Sequence, residues 1–173
     1  MAVSEFWFFW LFPVAFALHN IEEAIWMPSF SKTAGRFARP VNSFEFIFAV
    51  IILTILSAII TELFFLNGKE SFFCNLYFAF NLAMLLNVFF PHISATIALK
   101  KYCPGLLTGL TFLAPVTIYV LYYGYTNGFI KFPGFLFIAI IFSLLLIASI
   151  PFLFNTGKLL KKQLLMKKQP NVS

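Results

Sequence analysis

The chain has 173 residues, 61% of them hydrophobic and only 10% charged, with a mean hydropathy of +0.93. An ordinary soluble domain is about 45–50% apolar and about 25% charged, so a soluble enzyme, a disordered chain and a disulfide-stapled secreted module are excluded. The formal charge of +6 arises from basic residues lying between apolar runs, not from a basic face on a folded surface, which excludes nucleic-acid binding.

A membrane-spanning helix needs roughly 20 mostly apolar residues. Five such runs occur, at about 6–27, 44–66, 72–99, 106–124 and 134–154. Isolated strands cannot satisfy their backbone in lipid and no period-2 pattern of a barrel is present, so all five are expected to be helices. The predicted fold is an all-α polytopic membrane bundle over residues 1–157, followed by a basic tail at 158–173. The first run does not read as a cleavable signal. It lacks a basic lead-in and ends in His19-Asn20-Ile21-Glu22-Glu23 instead of small residues.

Lysine and arginine set the expected orientation. Lys32, Arg36 and Arg39 follow the first run, Lys100 and Lys101 the third, and Lys158, Lys161, Lys162, Lys167 and Lys168 the fifth. Lys69 and Lys131 fall in the other two loops. Five spans with the tail inside place ten of the twelve basic residues in the cytoplasm, so the N-terminus is expected outside and the C-terminus inside a bacterial plasma membrane. Cys74 and Cys103 then lie a span apart and cannot bridge.

Several polar residues are out of place at membrane depth. His19 sits about 12 Å short of the inner end of its run at 1.5 Å per residue, and Glu22 and Glu23 follow it by three and four residues, on one broad face. In the third run Asn81 and His92 are eleven residues apart and share a face. Pro91 has no N–H, so the carbonyl of Asn87 loses its helical donor; that carbonyl, not the side chain, is the expected contribution of Asn87. Glu45 opens the second run at the same depth. His19, Glu22, Glu23, Glu45 and His92 therefore form a candidate catalytic layer facing the cytoplasm. A charge at such depth costs at least about 2.5–3.5 kcal/mol, and intramembrane ionisable groups mark function by default.

Two His with Glu are a ligand set for Zn, Mn or Fe, with His19, Glu22, Glu23 and His92 as the candidate ligands. A Glu–His pair equally suits metal-free general acid–base work. A third reading is a polar network that only locks packing. Thr54, Ser57 and Glu62 read as bland, and the Phe-rich stripes of the first and third runs as lipid contact.

The pentapeptide His19-Asn20-Ile21-Glu22-Glu23 resembles the signature of the HXXEE family, small bacterial membrane proteins of unknown function named for that motif. The resemblance extends to chain length and span number. It implies further polar positions that Arg39, Glu45, Asn87, His92 and Pro104-Gly105 match, with Arg39 and Asn87 as candidate cofactor-binding residues. It differs from His-Glu-x-x-His, which puts a His at each end.

The functional expectation is a membrane-embedded enzyme, metal-dependent or not, acting on a lipid or prenyl-type substrate that enters from the inner leaflet. The alternatives are a transporter or binding protein for a metal ion, proton or small solute, and a non-catalytic accessory subunit. The lipid bilayer is the expected partner, reinforced by the Lys-rich tail on anionic lipid.

Overall fold

A computed structural model of the protein describes residues 7–35 and 40–168. Five helices account for nearly all of them. A 3₁₀ turn, Trp7–Trp10, leads into α1 (Leu11–Ser31). There follow α2 (Ser43–Asn67), α3 (Phe72–Leu99), α4 (Leu106–Thr126) and α5 (Gly134–Lys168). Four of them, α2 to α5, are long and apolar enough to cross a membrane. The first falls short in hydropathy because His19, Asn20, Glu22 and Glu23 interrupt it. Its outward face is nonetheless apolar: Val14, Leu18, Ile21 and Ile25, spaced by four, three and four residues, are all exposed, while His19, Asn20 and Glu22 are buried. This polar-in, apolar-out arrangement is what lipid requires of a bundle helix.

Local chemistry sets the helix ends. The Asn42 side chain accepts from Phe44 N at 3.0 Å to start α2, and the Ser71 hydroxyl accepts from Cys74 N at 3.1 Å to start α3, both standard N-caps. The helices α1, α2, α5, α3 and α4 form a ring in that order, with α2 and α3 also touching across its middle. Two loops meet at one end, where Lys69 donates to the carbonyl of Asn127 at 2.7 Å and Lys131 pairs with Glu70. That exposed pairing holds the Glu70 carboxyl below its usual range. The opposite end holds residues 100–105, the α2 N-terminus and the end of α5, where Lys161 bonds Asn42 at 3.2 Å. Residues 158–168 continue α5 without a break.

The Phe-rich stripes correct the lipid-contact expectation. Phe9, Phe12, Phe16, Tyr77, Phe78 and Phe80 are buried in the core. Phe9 is its hub, with ring centroids 5.2 Å from Phe64, 5.5 Å from Tyr77 and 5.6 Å from Phe129 in edge-to-face geometry. Such pairs add about 0.5–1.5 kcal/mol beyond burial. Tyr77 donates its hydroxyl to the carbonyl of Phe9 at 2.7 Å, satisfying the 3₁₀ turn that precedes α1. Trp7, Trp10 and Trp26 project outward instead.

Gly124 is where this core leaves least room. A Cβ there would lie 2.2 Å from Cε1 of Phe78 and 2.6 Å from its Cζ. Gly124→Ala is expected to lower stability by about 1–3 kcal/mol through overpacking, read as a drop in melting temperature. An unchanged melting temperature would mean that Phe78 has free space to move.

Candidate functional site

The site lies at the end of the bundle that carries the 100–105 turn, and two helix irregularities build it. Val88–Ile93 of α3 is a π-helical stretch interrupted by extended backbone at Phe90 (φ −137°, ψ 113°). The Ser94 N–H reaches back five residues to the carbonyl of Phe89. Pro91 lies inside the stretch and cannot donate to the ladder, which accounts for a break here. In α4, Gly109–Leu113 is a second π-helical stretch. Such segments are frequent at functional sites.

The first brings Asn87 and His92, five residues apart, to one side. Asn87 Nδ2 lies 3.1 Å from His92 Nε2. The expectation that Asn87 acts through its carbonyl is thereby corrected, because the break re-aims the side chain that a regular helix would turn away.

His19, Glu23 and His92 come together. One ligand atom from each lies within 4.8 Å of the other two. Glu23 Oε1 is 3.3 Å from His92 Nε2 and 3.9 Å from His19 Nε2. The two imidazoles meet edge to face with centroids 4.9 Å apart. Both His are fully buried, and His19 Nε2 has no hydrogen-bond partner among the described residues. The opposite edges of the rings face the turn. His92 hydrogen-bonds the backbone of Pro104, which has no N–H, so the ring donates to its carbonyl. His19 hydrogen-bonds the backbone of Gly105, whose N–H is already given to Glu22 at 2.8 Å; its carbonyl is the acceptor. Cys103 Sγ lies 3.8 Å from His92 Nδ1 and the Thr108 hydroxyl 3.5 Å from His19 Nδ1. These contacts assign the proton of each ring to its turn-facing nitrogen; both Nε2 edges face Glu23, and that of His92 also accepts from the Asn87 amide.

Gly105 makes this contact possible. Its φ of +89° is left-handed. A Cβ there would stand 2.6 Å from His92 Cε1 and 2.8 Å from His19 Cε1. The backbone comes so close to both rings that only glycine fits.

Glu22 does something else. Its Oε1 accepts from the Tyr102 hydroxyl and Gly105 N, and its Oε2 accepts from Thr108 N at 2.8 Å and the Thr108 hydroxyl at 2.5 Å. Both oxygens are consumed by the 102–108 segment, so of the two candidate Glu ligands only Glu23 stands with the histidines. Burial and the bond to Glu22 push the Tyr102 hydroxyl up to about 12, and burial, with Glu23 and Glu22 nearby, pushes the Cys103 thiol up to about 11. Both are therefore neutral at physiological pH.

Glu45 does not join the layer. It begins α2 beside the end of α5, in a surface cleft with Lys158, Lys161 and Lys162, and its Cα is the nearest atom to a Cβ built on Gly157, at 3.1 Å. Asn20, beside His19, is level with Val50 and Thr54 on α2, so Glu45 sits nearer the end of the bundle than His19 and against α5. Arg39 lies outside the described residues. Tyr102, Gly105 and Thr108 carry much of the site's hydrogen bonding. Among them only Gly105 gave a sequence signal, as part of Pro104-Gly105, and that pair reads first as a plain turn. Asn20, within the motif, serves packing: its amide donates to Thr54 Oγ1 at 2.7 Å on α2.

His19, Glu23 and His92 could hold a metal ion. Bonds of about 2.0–2.2 Å in a tetrahedral site space the donors about 3.4 Å apart; Glu23 lies 3.3 and 3.9 Å from the two nitrogens, all three atoms lie within 4.8 Å of one another, and the rings would close in on an ion. Ligating imidazoles characteristically donate their second N–H to a carbonyl or carboxylate, as both rings do.

Comparison with known proteins agrees on the region. A family described as proteins of unknown function with an HXXEE motif matches residues 10–120, a stretch containing every residue of the cluster. The uncharacterized protein YrkK of Bacillus subtilis (strain 168) is 41% identical over 147 residues, covering 84% of this chain and 92% of that protein. No solved structure matches the chain.

Proposed function

The chain belongs to the HXXEE family, and we propose that its His19–Glu23–His92 group is the metal centre of a membrane-embedded enzyme. The observation that carries this reading is the direction of the two imidazoles. Both Nε2 atoms face one carboxylate oxygen while the opposite ring edges are tied to the turn. A packing network would have no reason to leave His19 Nε2 buried and unpartnered.

Two neutral imidazoles and one carboxylate suit Zn, Mn or Fe and leave at least one position open. A metal there would activate a bound water or polarise an ester or phosphoryl oxygen. With His92 Nε2 on the metal, the Asn87 amide beside it would be free to hold the incoming group. The substrate we propose is a lipid or prenyl-type molecule reaching the site from the inner leaflet of a bacterial plasma membrane.

Metal analysis of detergent-purified protein tests the centre. Wild type is expected to retain stoichiometric divalent metal and His19→Ala to lose it, with a small change in the stability of the metal-free protein. Metal-free wild type that keeps its activity would favour acid–base chemistry. A large drop in melting temperature with no metal in either protein would leave only a packing role.

Orientation has its own test. Native Cys74 and Cys103 are both buried and make poor probes. Thr126→Cys and Lys158→Cys, at exposed positions on opposite ends of the bundle, are better. An impermeant maleimide should label the former on intact cells and the latter only after permeabilisation, and the reverse pattern would invert the topology.

A further inference from the structure

Between α3 and α5, beside the Phe90–Pro91 break, the bundle carries a groove of about 520 Å³, within the roughly 300–1,000 Å³ typical of ligand pockets. Phe16, Phe80, Ala83 and Leu146 contribute to its lining, and Phe90, 76% exposed, stands at its rim. Every lining residue is apolar except Ser143 and Asn87. Asn87 is the amide whose Nδ2 lies 3.1 Å from His92 Nε2. The groove is therefore apolar apart from Ser143 and Asn87, and through Asn87 it touches the His–Glu group.

We propose that this groove binds one apolar chain of a lipid or isoprenoid substrate, and that Asn87 marks where the polar head passes to His19, Glu23 and His92. The assignment of the head rests on the metal-centre reading; the chain site does not. A charged or strongly polar occupant would find no partner along the lining and would leave its own groups unsatisfied. An apolar chain already surrounds α3 and α5 in the bilayer, so it enters sideways without leaving hydrocarbon. What separates this groove from ordinary lipid-facing surface is its depth and its contact, through Asn87, with the buried imidazole.

The test uses the full chain in nanodiscs and a palmityl alcohol carrying a photoreactive diazirine and an alkyne. Adducts are located by peptide mass spectrometry, and metal content is measured on the same samples. Adducts are expected to concentrate at Met84, Leu86, Phe90 and Ile147, several-fold above lipid-facing Ile118 and Tyr119 on α4. Leu86→Trp, at an exposed rim position, should reduce groove labelling several-fold and leave metal content unchanged. Ala83→Phe, filling the floor, should do the same if it folds. His19→Ala should lose metal and keep groove labelling. Adducts spread evenly over groove and α4, or undiminished in Leu86→Trp, would overturn the chain site and leave the metal centre standing. Cross-links joining the groove to a second copy of the chain would also overturn it, by assigning the surface to self-association. Groove labelling in a wild-type protein without metal would uphold the chain site and sink the metal centre instead.

Discussion

Gly105→Ala is expected to abolish metal retention and to destabilise the bundle by about 2–4 kcal/mol. Two effects combine. A non-glycine residue at φ +89° carries backbone strain of about 1–3 kcal/mol. The new methyl would also stand 2.6 Å from His92 Cε1 and 2.8 Å from His19 Cε1, so the turn must lift or both rings must rotate. Either movement breaks the ring-to-carbonyl bonds that direct the two Nε2 atoms at Glu23. The check is metal content together with thermal unfolding of the purified variant. Full metal occupancy at wild-type stability would show that the turn does not fix the rings.

The second large effect separates the two adjacent glutamates. Glu22→Ala removes the acceptor of four donors, two of them backbone N–H groups. Hydrogen bonds to a charged acceptor are worth about 1.5–3 kcal/mol each, and donors left buried without partners cost about 1–3 kcal/mol. Counting incomplete coupling and some rescue by water, a loss of about 3–5 kcal/mol is expected, comparable to breaking a buried ion pair. Glu23→Ala should instead lose metal while the metal-free protein melts near the wild-type temperature. Paired measurement of melting temperature and metal content on both variants decides the matter. If Glu22→Ala leaves stability intact, or Glu23→Ala keeps the metal, the division of roles is wrong.

Much of this division was hidden from the sequence for identifiable reasons. Run length and apolarity place the helices, because the bilayer imposes a minimum span on any chain. Matched depth and the four-residue spacing of His19 and Glu23 bring those two and His92 within reach of one another. Azimuth is harder. Glu22 and Glu23 differ by one helical step, and only the packing of α1 against α4 decides which meets the turn. Glu45 lies against the end of α5, which its own helix could not reveal. Asn87 depends on an irregular stretch that a regular helical wheel misdraws. The aromatic stripes failed differently: in lipid, inside and outside are both apolar, so hydrophobicity does not distinguish Phe12 in the core from Ile21 facing out.

The outward placement of the indoles sets what optical methods can see. All three tryptophans, Trp7, Trp10 and Trp26, project from the bundle, whereas the aromatic rings buried in its packed centre are those of phenylalanine and tyrosine. Indole emission will therefore respond to the surrounding acyl chains and be quenched by brominated lipid, yet stay nearly constant while the interior loosens. Near-ultraviolet circular dichroism behaves oppositely, since Tyr77 and its ring neighbours lose their fixed asymmetry as soon as packing melts. Stability measurements on this protein belong to dichroism, and indole fluorescence is the reporter of its solvent.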